Sequence, residues 1–346
     1  MNKKVLVAMS GGVDSSVAAY LLKEEGYDPI GVTMKLFCYG EGASSPKSCC
    51  SLDAINDAKS VCDRLDIPHY VVDYEKEFER DVIENFVSEY RNGKTPNPCI
   101  RCNQLIKFSY LLKKAKELGC DHVATGHYVR ILDGKLLKGA DTDKDQTYFL
   151  YRLDQEQLSK LKFPIGELKK SEVRQIAKKA GLKVAEKAES QEICFVDTDI
   201  ADFLKDRVKS ENGDILDKSG KKIGEHEGVP FYTIGQRKGL GGGFEKPMYV
   251  VGIDVAKNTI TIGEEGDLYK KEAFFDDASW ILEEPSSSDK LTAVIRYNMK
   301  EKAVANLEKM NGKYKTVFRD NVRAVTPGQS IVFYSGEECL GGGIIT

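Results

Sequence analysis

Ser10-Gly11-Gly12-Val13-Asp14-Ser15-Ser16 carries chemistry that can be read from residue type and order alone. An apolar run ending at Met9 precedes it and a helical pattern follows. Glycines let the backbone approach a phosphate closely, because no Cβ stands in the way. A helix N-terminus just beyond offers open N–H groups and a partial positive charge. Ser10, Ser15 and Ser16 add hydroxyl donors. The string is not a Walker A loop, since no Gly-Lys-Ser/Thr follows, nor the Gly-x-Gly-x-x-Gly of dinucleotide folds. A tight strand–helix turn with a serine cap would use the same residue types, but the full string is far more specific than a glycine pair.

Thiols are the second chemical resource. The nine cysteines are Cys38, Cys49, Cys50, Cys62, Cys99, Cys102, Cys120, Cys194 and Cys339. An odd count in a long chain argues against a disulfide framework and for catalytic, redox or metal-binding thiols. Cys62, Cys120 and Cys339 stand alone and read as packing. Cys49-Cys50 lies just before an expected helix N-terminus, a place that favours thiolate. Loop composition explains that pair equally well. His69, His122, His127 and His226 are scattered, and no zinc-site spacing occurs.

Strands and helices must position these groups. Residues 3–9 read as a buried strand and 14–25 as a helix closed by Gly26. Strands follow at 29–36, 68–73 and 121–125. Helices are expected from Ser51 to about Leu65, over 75–91, 103–118 and 167–181. This alternation predicts a parallel α/β sheet covered by helices. After about residue 208 glycines punctuate short strands, and from 248 onward the pattern is all-β. The expected domains are therefore 1–208, a parallel-sheet catalytic domain; 209–275, a small β-rich central domain; and 276–346, a β-barrel.

Composition narrows the class. The 346 residues are 41% hydrophobic and 30% charged, with a net charge of −3. That suits a globular protein, and any RNA contact must use a local basic surface. No apolar run reaches the length of a membrane span. The N-terminal run stops at a glycine turn, not a cleavage site, so a cytoplasmic location is expected. The helix with Lys169, Lys170, Arg174, Lys178 and Lys179 is either a solvated face or an RNA footprint.

SGGVDS resembles the signature of the PP-loop, or N-type, ATP pyrophosphatases. Those enzymes split ATP to AMP and pyrophosphate and adenylate a carbonyl oxygen. Four further strings choose among them: TPNPCIRCN at 95–103, ATGHY at 124–128, KDQTYFL at 144–150 and ESQEICFV at 189–196. With YTIGQRKGLG at 232–241, they make the chain similar, from about residue 4 to its end, to the bacterial tRNA-specific 2-thiouridylases (the MnmA family), which thiolate the wobble uridine of certain tRNAs.

That resemblance implies a site residue by residue. Ala8, Met9, Ser10, Gly11, Gly12, Val13, Asp14 and Ser15 would hold the ATP phosphates. Met34 would meet adenine or ribose, and Gly126 would be a further ATP contact. Asn97, Pro98 and Cys99 would lie against the target base in the anticodon loop. His127, Lys144, Asp145, Gln146, Arg296, Tyr297 and Gln329 would contact the tRNA. Cys194 would carry persulfide sulfur and Cys102 would be the second catalytic thiol. Arg237 and Lys238 suit phosphate contact, although their string can also be a plain hairpin. ATP with Mg²⁺ is the expected cofactor, and a cysteine desulfurase or sulfur-relay protein the expected donor.

The chain departs from the family pattern at Cys99, where many members carry Asp. Cys99 therefore joins the candidate catalytic set. Cys99-x-x-Cys102 with Cys194 can ligate three irons of a 4Fe–4S cluster. The other reading is redox chemistry between Cys102 and Cys194, with Cys99 a spectator or resolving thiol. Cys49-Cys50 could relay sulfur. The rival functions are a small-molecule ligase of the same superfamily, and a non-catalytic RNA-binding or sulfur-carrier protein. No glutaminase segment supports the first, and the intact loop opposes the second.

Overall fold

The structure is a computed structural model that describes residues 3–37, 52–188, 193–197, 199–286 and 290–346. Cys38, Cys49, Cys50 and the Glu189–Glu192 part of the ESQEICFV string lie outside the described residues. The chain divides into two compact units. The first comprises Met1–Ile83, Pro98–Asp197 and Glu337–Cys339; the second comprises Glu84–Asn97, Thr198–Gly336 and Leu340–Thr346.

The first unit is built on a parallel sheet. Its strands are β1 (Lys4–Ala8), β2 (Asp28–Lys35), β3 (His69–Asp73) and β4 (His122–Ala124). β5 (Val129–Leu132) and β6 (Lys135–Lys138) form a separate hairpin, and β7 (Leu161–Lys162) returns to the sheet. The sheet order is β3-β2-β1-β4-β7. Val5, Leu6 and Val7 are wholly buried because helices cover both faces of β1, which explains a run and not an alternation. β2 lies to one side of β1 and β4 to the other. The carboxyl end of β1 is thus the switch point of the sheet, where such folds open a crevice for ligands. The helix Val13–Glu24 starts there and sends Val17, Ala18 and Leu22 into the core.

Two long helical stretches are wound unevenly. The first passes from Glu75–Phe78 through a π-helical Glu79–Ile83 into Glu84–Arg91. The second begins with Pro98 at its first position, where a missing N–H costs nothing. It continues as a π-helix over Cys102–Tyr110 and ends as an α-helix at Leu111–Glu117.

The second unit is mostly β. Strands β8 (Gly213–Leu216), β9 (Lys222–His226), β10 (Tyr249–Asp254) and β11 (Thr259–Gly263) form one sheet in the order β10-β11-β8-β9. Its core includes Ile215, Val250, Ile260 and Ile262. β12 (Tyr269–Trp280), β13 (Thr292–Val294), β14 (Lys302–Met310), β15 (Lys313–Arg323), β16 (Ser330–Ser335) and β17 (Glu338–Ile345) follow. They run β12-β15-β14-β13-β16-β17, and β12–β17 pairing closes an antiparallel barrel over Phe275, Phe318 and Phe333. Asn311 and Gly312, both at positive φ, make the β14–β15 turn. Among the described residues no helix is long and apolar enough to cross a membrane.

Candidate active site

The loop after β1 is shaped by its glycines. Gly11 has φ +68, and a Cβ there would stand 2.2 Å from the Ala54 carbonyl oxygen. Gly12 takes the N-cap position of the Val13–Glu24 helix and provides no side-chain cap. The first-turn N–H groups are therefore left for an external acceptor. Ser15 and Ser16 turn their hydroxyls back onto the Gly12 carbonyl at 3.2 and 2.8 Å. The Ser10 amide donates to Ser15 Oγ at 3.2 Å. Serines thus fix the loop while the amides of the first helical turn face outward from it.

Residues far away in sequence close around this loop. Gly126 sits where a Cβ would come within 2.6 Å of Asp14 C and Ser15 N, so the turn after β4 lies directly on the first helix turn. Tyr128 donates its hydroxyl to Asp14 Oδ1 at 2.7 Å. Lys170 Nζ bridges both Asp14 oxygens at 2.8 Å, with its side chain only 12% exposed. Lys187 Nζ donates to the Gly11 carbonyl at 3.0 Å and to Asp57 Oδ2 at 2.6 Å. Met34 lies near the carboxyl end of β2, the neighbour of β1. The basic helix is thereby partly committed: Lys170 serves the loop, Arg174 donates to the Ala185 and Lys187 carbonyls, and Lys178 pairs with Glu186. Lys169 and Lys179 remain exposed.

His127 faces inward. Its Nδ1 is 2.7 Å from the Thr125 hydroxyl, and its ring packs between Phe108 and Phe163. Burial, aided by Lys107, holds its pKa well below the ordinary imidazole value, so the ring is neutral. Asp145 accepts from the Gly139 and Thr147 amides and from the Thr147 hydroxyl, and burial raises its pKa. Gln146 Oε1 accepts from the Tyr128 amide. Of the residues expected to touch tRNA here, His127, Asp145 and Gln146 have side chains engaged in holding the turn. The Lys144 side chain is half-buried, and its amide donates to the Asp141 carbonyl at 3.0 Å.

Cys99 and Cys102 occupy successive turns of the helix that begins at Pro98. Cys102 is 8% exposed, whereas Cys99 and Cys194 are half-buried. Arg101 donates to the Asp81 carbonyl and ties this helix to the Glu79–Ile83 turn. Phe195, next to Cys194, packs edge-on against Phe78 just before that turn, with ring centroids 5.7 Å apart. All three sulfurs are thiols. Among the described residues no three Cys, His, Asp or Glu side chains are gathered to hold a metal ion. Cys102 is the most buried of the three, and both the cluster reading and the two-thiol reading of Cys99, Cys102 and Cys194 stay open at this point. Cys62 is an inert core thiol, its pKa pushed up to about 12 by burial.

A second group assembles within the second unit. The Thr95 amide donates to the Pro327 carbonyl, and Gln329 Nε2 donates to the Thr95 carbonyl at 2.6 Å. Thr95 Oγ1 is 3.0 Å from Thr233 Oγ1, which brings in the YTIGQRKGLG string. Arg296 reaches the Thr326 hydroxyl at 3.3 Å. Arg296 and Gln329 thus meet the Thr326–Gln329 loop and the Thr95 segment, with Tyr297 next to Arg296 and Asn97 two residues after Thr95 in sequence. Arg237 and Lys238 are exposed.

Family models match almost the whole chain: a tRNA methyl transferase HUP domain over residues 3–198, a tRNA methyl transferase PRC-barrel domain over 201–264 and an aminomethyltransferase beta-barrel domain over 270–345. The chain is 49% identical over 358 residues to the tRNA-specific 2-thiouridylase MnmA of Clostridioides difficile (strain 630), covering 100% of this chain and 98% of that protein. It belongs to the tRNA-specific 2-thiouridylase family. The protein of that name from Geobacter metallireducens is 47% identical, covering 99% of this chain and 96% of its own. For Clostridium beijerinckii the identity is 46%, with coverage of 100% and 99%. The 2-thiouridylase strings named Asp14 and Gly126 but gave no reason to join them to Tyr128, Lys170 or Lys187. Tyr128 closes the ATGHY string and Lys170 lies on the basic helix, but neither signal pointed to Asp14, and Lys187 had none.

Proposed function

We propose that this protein is an ATP-dependent tRNA 2-thiouridylase acting on the wobble uridine. The observation that carries the reading is full-length identity to 2-thiouridylases combined with an intact SGGVDS loop at the switch point of the sheet. ATP occupies the loop, with Ala8 to Ser15 around its phosphates and Met34 and Gly126 beside the nucleoside. Mg²⁺ would travel with the phosphates, drawing most of its ligands from them and from water, and would supply charge neutralisation there. The uridine, drawn out of the anticodon loop, lies against Asn97, Pro98 and Cys99. Lys144, Arg296, Tyr297 and Gln329 are proposed as tRNA contacts on the strength of the family resemblance. His127, Asp145 and Gln146 shape the contact surface from beneath.

The chemistry proceeds in two stages. The uridine O2 attacks the α-phosphorus, pyrophosphate leaves, and the base becomes an adenylate with AMP as a good leaving group. A Cys194 persulfide, loaded by a cysteine desulfurase or relay protein, attacks C2 through its terminal sulfur and AMP departs. The Cys102 thiolate then attacks Cys194 Sγ. The sulfur–sulfur bond breaks, 2-thiouridine leaves with the outer sulfur, and a Cys102–Cys194 disulfide remains for an external reductant. The two-thiol route is written here because it needs only Cys102, Cys194 and a persulfide donor; a 4Fe–4S cluster held by Cys99, Cys102 and Cys194 would instead deliver sulfide. The location that suits this work is the cytoplasm, and the division 1–208, 209–275 and 276–346 separates catalysis from two docking domains.

The test is pyrophosphate release with ATP and unmodified tRNA, followed by nucleoside mass spectrometry. The reading requires release that depends on tRNA, and 2-thiouridine when a persulfide donor is added. Release driven by a small acceptor without tRNA would replace it with the small-molecule ligase.

A further inference from the structure

The nucleotide loop contains no lysine or arginine: Ala8 to Ser16 is AMSGGVDSS, and its one ionisable group is the Asp14 carboxylate. A triphosphate brings several negative charges to this spot. Amides and a helix terminus supply only partial charge, and Asp14 repels. Two ammonium groups from distant parts of the chain meet this need. Lys170 reaches the loop across 156 residues of sequence and Lys187 across 176. They approach from different segments, one onto the first helix turn at Asp14 and the other onto the Gly11 carbonyl. We propose that Lys170 and Lys187 are the cationic ligands of the β- and γ-phosphates and stabilise pyrophosphate as it leaves. This deepens the reading that the loop binds ATP.

In the step they assist, uridine O2 bonds to the α-phosphorus and the bond from that phosphorus to the bridging oxygen breaks. The electron pair departs on pyrophosphate, and the uridine N3 proton passes to water. Negative charge grows on the leaving group, where fixed cations act most strongly. Asp14 and Asp57 keep the ammonium groups at the loop before ATP arrives. Both ion pairs are partly exposed, with side-chain exposures of 12% and 30% for Lys170–Asp14 and 35% and 39% for Lys187–Asp57. The more exposed Lys187–Asp57 pair is the weaker one, so a polyphosphate can take over there, while the Lys170 ammonium has three N–H donors and can keep Asp14 as it turns one toward phosphate.

The test compares pyrophosphate with AMP as probes, by titration calorimetry on the full chain and on Lys170→Gln, Lys187→Gln and Lys187→Arg. Pyrophosphate affinity falls about tenfold or more in each Gln variant, the worth of one charge-assisted hydrogen bond. AMP affinity stays within about twofold, since AMP lacks the departing phosphates, and Lys187→Arg restores most pyrophosphate binding. Unchanged pyrophosphate affinity overturns the assignment. Parallel loss of AMP and pyrophosphate also overturns it, because that pattern belongs to a lysine that only supports the loop. Wild-type protein that binds pyrophosphate in this lysine-dependent way, yet releases none from ATP with tRNA, upholds the assignment and sinks the thiouridylase reading instead.

Discussion

At Gly126 a single hydrogen atom decides whether two segments can touch. A Cβ would meet Asp14 C and Ser15 N at 2.6 Å, and both are backbone atoms that cannot swing away. Gly126→Ala should therefore cost about 1–3 kcal/mol of stability, as overpacking does, and should lower ATP-dependent AMP formation by more than the stability loss explains. Denaturant titration beside single-turnover kinetics checks both. Cys194→Ser tests the thiol roles: thiolation should vanish while tRNA binding in a gel-shift assay stays within about twofold, since serine changes one atom. Residual 2-thiouridine in that variant would remove Cys194 from the mechanism. On the two-thiol route, protein purified without oxygen should lack stoichiometric iron and keep its activity with a persulfide donor after chelation. Iron near one cluster per chain, lost in Cys99→Ala, would replace that route with sulfide delivery from a cluster.

Elements differ in how much of themselves they print in the sequence. β1 and the Val13–Glu24 helix were legible because burial of both faces demands an unbroken apolar run and the helix repeats its core positions. The β5–β6 hairpin was not anticipated, although Asp133 and Gly134 carry its turn at φ 50 and 75. Asp-Gly between apolar residues was a readable signal. β7, with two residues, is too short to leave a pattern. The π-helical winding of Cys102–Tyr110 leaves no local mark, since it depends on what the helix packs against. The site divides the same way. Loop and thiols were readable from motifs, whereas the inward turn of His127 follows from Phe108 and Phe163, which only the fold supplies. At this scale Gln329→Ala should loosen the Thr326–Gln329 loop from the Thr95 segment. The lost bond leaves the Thr95 carbonyl short of a donor, so thermal stability should fall by about 1 kcal/mol and tRNA affinity with it. An unchanged melting curve would show that water replaces the amide.

Across the whole molecule, burial acts on all four histidines in one direction. It is the largest cause lowering the pKa of His69, His122, His127 and His226. Unfolded imidazoles take up protons near pH 6.5 while the folded ones resist, so the folded state loses ground as pH falls below that value. Fully buried His127 alone can account for up to about 1.4 kcal/mol per pH unit there. Denaturation midpoints should drop between pH 7 and 5 and stay nearly level from 7 to 8; a midpoint that rises on acidification would contradict the burial of these rings. The Thr95 segment carries a different consequence, one of timing. Its partners Thr233 and Gln329 lie 138 and 234 residues downstream. At about 5–20 residues per second of synthesis, Thr95 waits roughly ten to fifty seconds for Gln329 to be made. For most of that interval the nascent chain already contains the Pro98 segment and its thiols, yet lacks the Thr233 and Gln329 side chains that give Thr95 its place. Premature termination anywhere in the barrel would leave this wait without an end, and the truncated product would be a substrate for proteases before it could be an enzyme.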